Sequence, residues 1–77
     1  MTTKRQQTQQ LCKDFIRYTC KGQRVHAFGC TQGIAERWGI RVDWHEMSDA
    51  LEALDRCSQE VTRDGCGPDR VAAYVVK

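Results

Sequence analysis

The sequence predicts one small α+β domain in which three helices precede a C-terminal β-hairpin. Apolar residues recur at helical spacing in three successive stretches of the 77-residue chain. The final stretch, VTRDGCGPDRVAAYVV, instead places two valine-containing segments around a turn with two glycines and the only proline. A chain of this length forms a single domain, which we assign to residues 1–77. Hydrophobic residues make up 40% and charged residues 29%, a globular rather than a disordered balance.

The first helix is predicted over residues 4–20, and Gly22 is expected to end it. Helical spacing gives this segment one broad apolar face. The face comprises Leu11, Cys12, Phe15, Ile16, Tyr18 and Cys20. The following segment, QRVHAF at residues 23–28, alternates imperfectly between polar and apolar residues and therefore predicts a short strand.

The second helix is predicted over QGIAERWG, with Thr31 as its N-cap and Gly39 as its left-handed exit. Either Asp43 or Ser48 can cap the third helix, which we expect to end near Ser58. Its apolar stripe is formed by Met47, Ala50, Leu51, Leu54, Cys57 and Val61. Opposite the stripe lie the acidic residues Glu46, Asp49, Glu52 and Asp55.

The hairpin is predicted to begin at Val61, to turn at residues 65–68 and to return along RVAAYVV. Three helices and a hairpin of this size should share one hydrophobic core. Its central members are predicted to be Leu11, Phe15, Ile34, Trp38, Leu51 and Leu54. Trp44 is also more easily explained as a core residue than as a binding residue.

Charge is distributed unevenly, although the net charge is only +2. Residues 1–24 hold six lysines and arginines against one acid, whereas residues 43–60 hold six acids against one arginine. Such asymmetry bears on partners rather than on the fold. The acidic third helix in particular disfavours close approach to a polyanion.

Five cysteines occur without any Cys-x-x-Cys pair and without a secretory signal, which argues against a disulfide framework. We expect all five to be reduced, with no metal and no cofactor bound. Cys12, Cys20 and Cys57 are predicted to be buried, and Cys66 to be exposed in its glycine-rich turn. The alternative is a zinc site built from His26, Cys30 and two distant cysteines.

Other function classes find little support in the sequence. The chain has no apolar run long enough to span a bilayer and no apolar core of a signal peptide, so a cytoplasmic protein without membrane contact is expected. An enzyme is disfavoured, because GCGPD lacks the lysine and the helix of a phosphate-binding loop. A domain of this size also leaves little room for a deep pocket.

The order of elements resembles that of the winged helix-turn-helix superfamily. The resemblance rests on IAERWGI at residues 34–40, on ALEAL at residues 50–54 and on the closing hairpin, which corresponds to the wing. The connection RVDWHEM is longer than the tightest helix-turn-helix turn. The resemblance implies that the third helix enters the major groove by its N-terminal end and that the wing touches the DNA backbone.

By position, the resemblance implies three sets of DNA-binding residues. The groove-facing set is Arg41, Asp43, His45, Ser48 and Asp49. The wing set is Arg63 and Arg70, and the phosphate-binding set is Lys4, Arg5 and Arg24. The protein would then be a small transcriptional regulator or accessory factor that binds duplex DNA.

A protein-interaction module or inhibitor is the alternative function. Small chains of this kind resemble phage-encoded inhibitors and accessory factors. In that case Glu46, Asp49, Glu52 and Asp55 would meet a basic partner surface. A homodimer that uses the apolar face of the first helix is also considered.

Overall fold

A computed structural model describes residues 3–67 and 70–77 and confirms a small α+β fold with the predicted order of elements. Three helices and three strands follow one another along the chain. They are α1 (Lys4–Thr19), β1 (Arg24–His26), α2 (Ala27–Trp38), α3 (Trp44–Cys57), β2 (Val61–Cys66) and β3 (Ala72–Val76). Helix α1 begins with a capping box between Thr3 and Gln6, so its start is specified locally.

The strands form one antiparallel sheet in the order β1-β3-β2. The hairpin of β2 and β3 is therefore confirmed, and β1 extends it by pairing with the other edge of β3. The predicted turn is partly wrong, because Gly65 lies within β2 at a register shift between Arg63 and Cys66. Its φ of 70° is one that glycine adopts without strain. Pro68 lies outside the described residues.

Helix α2 starts earlier than predicted. Strand β1 ends at His26, whose Nδ1 accepts the backbone N–H of Gly29 and so caps α2 in place of Thr31. Thr31 lies inside the helix, where its hydroxyl donates to the carbonyl of Ala27. Phe28 belongs to the first helical turn, not to the strand. A short apolar run is compatible with either a strand or a helix. Here Ala27 and Phe28 are helical, and the Phe28 ring packs against Trp44 of α3.

Helix α3 begins at Trp44, with Asp43 rather than Ser48 as its N-cap. The Asp43 carboxylate accepts the backbone N–H of His45 at 3.3 Å. Gly39 ends α2 with a φ of 67°, as the sequence predicted. The connection between the two helices is thus fixed at both of its ends.

Four of the six predicted core residues are buried, namely Phe15, Ile34, Leu51 and Leu54. The other two predictions are wrong: Leu11 is 38% exposed and Trp38 is 39% exposed. Helix α1 turns Cys12, Phe15 and Ile16 inward, which leaves Leu11 at the edge of its buried stripe. The Trp38 and Phe15 rings pack nearly perpendicular to each other, with centroids 5.4 Å apart, and part of Trp38 remains exposed to solvent.

The predicted apolar face of α1 is therefore largely used inside the domain. Tyr18 is 76% exposed and joins Leu11 as the apolar remainder of that face. Homodimerisation through this face stays a prediction.

Cysteine burial agrees with the prediction at Cys12, Cys20 and Cys66 and disagrees at Cys57, which is exposed. Cys57 is the last residue of α3, and beyond it Val61 of β2 fills the core instead. Cys30 is buried as well. None of the five cysteines forms a disulfide bond in the structure, and their reduced state in solution stays a prediction.

Candidate nucleic-acid interface

The connection before α3 exposes one cation between two apolar anchors. Ile40 and Val42 are half-buried and pack against the core, so Arg41 between them faces solvent. Asp43 then starts the helix, and Trp44 and His45 remain exposed in its first turn. Arg41 and His45, two of the predicted base-reading residues, are thus exposed at the N-terminal end of α3.

The first turns of α1 lie beside this end of α3. A surface cleft is lined from α1 by Lys4, Arg5 and Thr8 and from the α3 side by Arg41, Val42, Asp43, His45, Glu46 and Asp49. Two contacts hold the helices together here. The Gln9 side chain donates to the Glu46 carbonyl at 2.8 Å, and the Arg5 guanidinium lies 3.7 Å from the Asp49 carboxylate. Six of the ten predicted DNA-binding residues therefore share one cleft: Lys4, Arg5, Arg41, Asp43, His45 and Asp49.

Three acids in the same cleft balance its three lysine and arginine side chains. Two of these acids already have partners, since Asp43 caps α3 and Asp49 pairs with Arg5. The cleft is consequently close to neutral, and any phosphate would be held by individual cations at its rim rather than by a strong field.

Farther along α3 the acids also make contacts within the protein. Glu52 pairs with Arg56 one turn later, and the Asp55 carboxylate accepts the backbone N–H of Arg63 at 3.1 Å. In the C-terminal half of α3, Glu52 therefore forms an ion pair within the helix, and Asp55 links the helix to strand β2. The exposed ion pair of Glu52 and Arg56 adds little stability. The Asp55 carboxylate contributes more, because it satisfies the backbone N–H of Arg63 in β2.

The hairpin cations occupy different places. Arg63 is exposed on β2 beside the C-terminal half of α3, and Arg70 is exposed in the hairpin turn with a φ of 62°. Arg24 reaches across the sheet from β1 to the Asp64 carboxylate at 3.0 Å. It also donates to the carbonyls of Asp64 and Cys66. Its guanidinium thus secures the irregular part of β2, a role that the sequence did not indicate.

A continuous run of contacts joins the hairpin turn to the start of α3. A Cβ placed on Gly67 would lie 3.6 Å from the Cβ of His26, the N-cap of α2. Two residues later, the Phe28 ring packs on the Trp44 ring with centroids 5.3 Å apart. The start of α2 therefore lies between the hairpin turn and the start of α3.

Sequence reasoning missed the aromatic cluster at the starts of α2 and α3, which we define as Phe28, Trp44 and His45. Phe28 is 41% exposed and Trp44 is 38% exposed, and the His45 ring stacks on Trp44 with centroids 3.9 Å apart. The sequence placed Phe28 on a strand and Trp44 in the core. The available signal was the occurrence of bulky rings next to each cap of α2 and α3.

The zinc alternative gains no support from the described residues, where no group of three or more His, Cys, Asp or Glu side chains is arranged to hold a metal ion. Cys30 instead lies against Cys20, and the hydrogen bond between their thiols, together with burial, raises the pKa of Cys30. Burial, with the Glu46 carboxylate nearby, raises the pKa of Cys12 to about 11. The protonated form is thus favoured at Cys12 and Cys30, whereas the hydrogen bond to Cys30 lowers the pKa of Cys20.

In the part of the chain that the structure describes, no helix combines the length and the apolar character needed to cross a bilayer. Comparison with known proteins finds no matching family model, no matching curated protein and no matching solved structure.

Proposed function

We propose that this protein binds duplex DNA through the N-terminal end of α3 and the adjacent hairpin turn, as a small regulator or accessory factor of the winged-helix type. One observation carries the proposal. The start of α2 lies close to Gly67 of the hairpin turn through His26 and contacts Trp44 at the start of α3 through Phe28. A helix tip and a hairpin turn that both adjoin the start of α2 can engage a groove and the flanking backbone together.

The predicted DNA-binding residues have the following roles in this proposal, apart from Asp43, which caps α3, and Asp49, which pairs with Arg5. Arg41, His45 and Ser48 lie at the start of α3 and would meet base edges in the major groove. Lys4 and Arg5, on the first turn of α1, and Arg70, in the hairpin turn, would contact phosphates. Arg63 lies farther along the hairpin and would contact the backbone at the edge of the site. Arg24 contributes indirectly, because it holds the hairpin in shape.

The acidity of α3 is compatible with this mode of binding. Glu52 lies seven residues beyond His45, which is about 10 Å along a helix that rises about 1.5 Å per residue. The tip can therefore enter a groove while Glu52 and Asp55 remain outside it. Asp43, Glu46 and Asp49 lie beside the tip. Asp49, Glu52 and Asp55 each also have a partner within the protein, which offsets part of their repulsion of phosphates.

The test is the salt dependence of binding to a mixed-sequence duplex. The logarithm of the affinity should fall linearly with the logarithm of the salt concentration. Arg70→Ala should reduce that slope by about one, as the loss of one phosphate contact does. Arg41→Ala should instead change the sequence preference. Lys21→Ala, an exposed cation at the opposite end of α1, is the matched control and should leave both unchanged. Absence of duplex binding at low salt would refute the proposal.

The protein-interaction alternative is favoured by one observation, namely that the carboxylates of Asp49 and Glu52 remain about half exposed despite their partners. Glu52→Lys separates the two functions. It should strengthen nonspecific DNA binding by removing repulsion, but it should abolish binding to a basic protein partner. Asp55 is unsuitable for this test, because its carboxylate also holds β2.

A further inference from the structure

We infer that the DNA bound at this end carries an unpaired base next to the duplex, and that the base stacks on the aromatic cluster of Phe28, Trp44 and His45. The inference rests on the proposed DNA binding and narrows its substrate to a junction between duplex and single strand. It starts from a feature that groove reading alone leaves unused, namely exposed ring surface at the tip of α3.

The rings form a platform rather than isolated exposed side chains. Trp44 contacts Phe28 at 5.3 Å and His45 at 3.9 Å between centroids, with interplanar angles of 36° and 29°. The His45 ring is stacked on Trp44 and the Phe28 ring is tilted against it, and neither pair is edge to face. Mutual packing restricts the motion of the rings, so that a base joining the stack loses little further side-chain entropy on the protein side.

Cationic side chains lie next to the aromatic cluster. Arg41 lines a shallow apolar groove with Phe28, Ala35 and Val42. The same arginine lines the cleft that holds Lys4, Arg5 and His45. Arg41 and His45 thus connect the ring surface to the cationic rim. Exposed rings beside Arg41, Lys4 and Arg5 offer partners for the bases and phosphates of a nucleic acid, although Asp43, Glu46 and Asp49 line the same cleft. An apolar peptide would leave these cations without a partner.

Continuous duplex cannot use such a platform. Its grooves offer base edges, and the main apolar feature in the major groove is the thymine methyl group. Ring faces require base faces, which become accessible only where a base is unpaired or unstacked. A helix tip that carries both base-edge readers and a ring platform therefore fits the place where a duplex ends and a single strand begins.

Three DNA probes test the inference on the full chain by fluorescence anisotropy. The first is a blunt mixed-sequence duplex. The second is the same duplex with a short thymidine overhang, prepared separately at the 3′ and the 5′ end. The third carries abasic residues in that overhang, which preserves the phosphates and removes the bases. The thymidine overhang should bind about tenfold more tightly than the abasic overhang, as expected when a base stacks on an aromatic side chain.

Variants assign the effect to the platform. Trp44→Leu keeps apolar bulk against Phe28 but removes the indole face, and it should abolish the preference for thymidine over abasic overhangs. Phe28→Leu should reduce that preference. Tyr18→Leu is the matched control, because this ring is 76% exposed near the far end of α1, and the preference should persist.

Trp38→Phe leaves Trp44 as the single tryptophan, whose fluorescence should be quenched by the thymidine overhang and not by the abasic one.

The outcomes separate this inference from the function on which it rests. Equal affinity for thymidine and abasic overhangs, with duplex binding intact, would overturn the inference and leave the proposed function standing. A preference for thymidine that survives Trp44→Leu would also overturn it. Absence of binding to all three probes would overturn both.

Discussion

The two ends of helix α3 differ in how their polar and aromatic side chains are used. At the C-terminal end, Glu52 pairs with Arg56, and Asp55 accepts the backbone N–H of Arg63 in β2. Both carboxylates therefore have partners within the protein. At the N-terminal end, Arg41, Trp44 and His45 are exposed around a cap that Asp43 already satisfies. The comparison teaches that the overall charge of a helix does not describe which side chains are exposed at its tip.

The largest expected effect comes from the buried face that both ends share. Leu51 is fully buried at the middle of α3, so Leu51→Ala should lower the free energy of unfolding by about 2–5 kcal/mol. Leu11→Ala is the matched control and should cost less than about 1 kcal/mol, because Leu11 is partly exposed. Chemical denaturation monitored by circular dichroism measures both. Similar losses for the two variants would mean that the helix phases are misassigned.

Arg24 should matter for stability rather than for phosphate contact. Arg24→Ala removes the donors to Asp64 and Cys66 and should lower the free energy of unfolding by about 1 kcal/mol, since these groups are solvent-exposed. Its effect on the salt slope of DNA binding should be smaller than that of Arg70→Ala. A slope reduced by a full unit, with stability unchanged, would instead make Arg24 a phosphate contact.

Asp55 and Glu52 provide a sharper comparison within the C-terminal end. Asp55→Ala should lower stability by about 0.5–1 kcal/mol, because it removes the acceptor of the Arg63 N–H while relieving an acid from the later part of a helix. Hydrogen exchange of the Arg63 amide should accelerate in this variant. In Glu52→Ala the same amide should exchange at the original rate, because that carboxylate pairs only with Arg56. Equal acceleration in both variants would contradict the assigned contact.

The smallest effects are expected at the exposed cysteines. Cys57→Ser and Cys66→Ser should each change the free energy of unfolding by less than about 0.5 kcal/mol. In the unmodified protein these two thiols should react quickly with an aromatic disulfide reagent, whereas Cys12, Cys20 and Cys30 should react only on unfolding. A third rapidly reacting thiol would show that the core opens near α1.

Whether a feature of the site could be predicted depends on how far apart the contacting residues lie in the sequence. Asp43 as a helix cap and Gly39 as a helix end were foreseeable, since both depend on neighbours within a few residues. The approach of Lys4 and Arg5 to Arg41 was foreseen only as a shared role, and packing of α1 on α3 was needed to bring these residues into one cleft. The aromatic cluster was missed, because it depends on where α2 begins.

The sequence by itself determined the order of the elements, the buried face of α3 and the existence of the hairpin. Periodicity and turn chemistry specify these features locally. Tertiary structure alone decided that β1 would join β3, that Arg24 would bond to a residue 40 positions away, and that Leu11 and Trp38 would remain at the surface. The physical reason is that burial and pairing depend on which faces meet in space. An amphipathic pattern marks a face as apolar, but only the packed neighbours set how much of that face is covered.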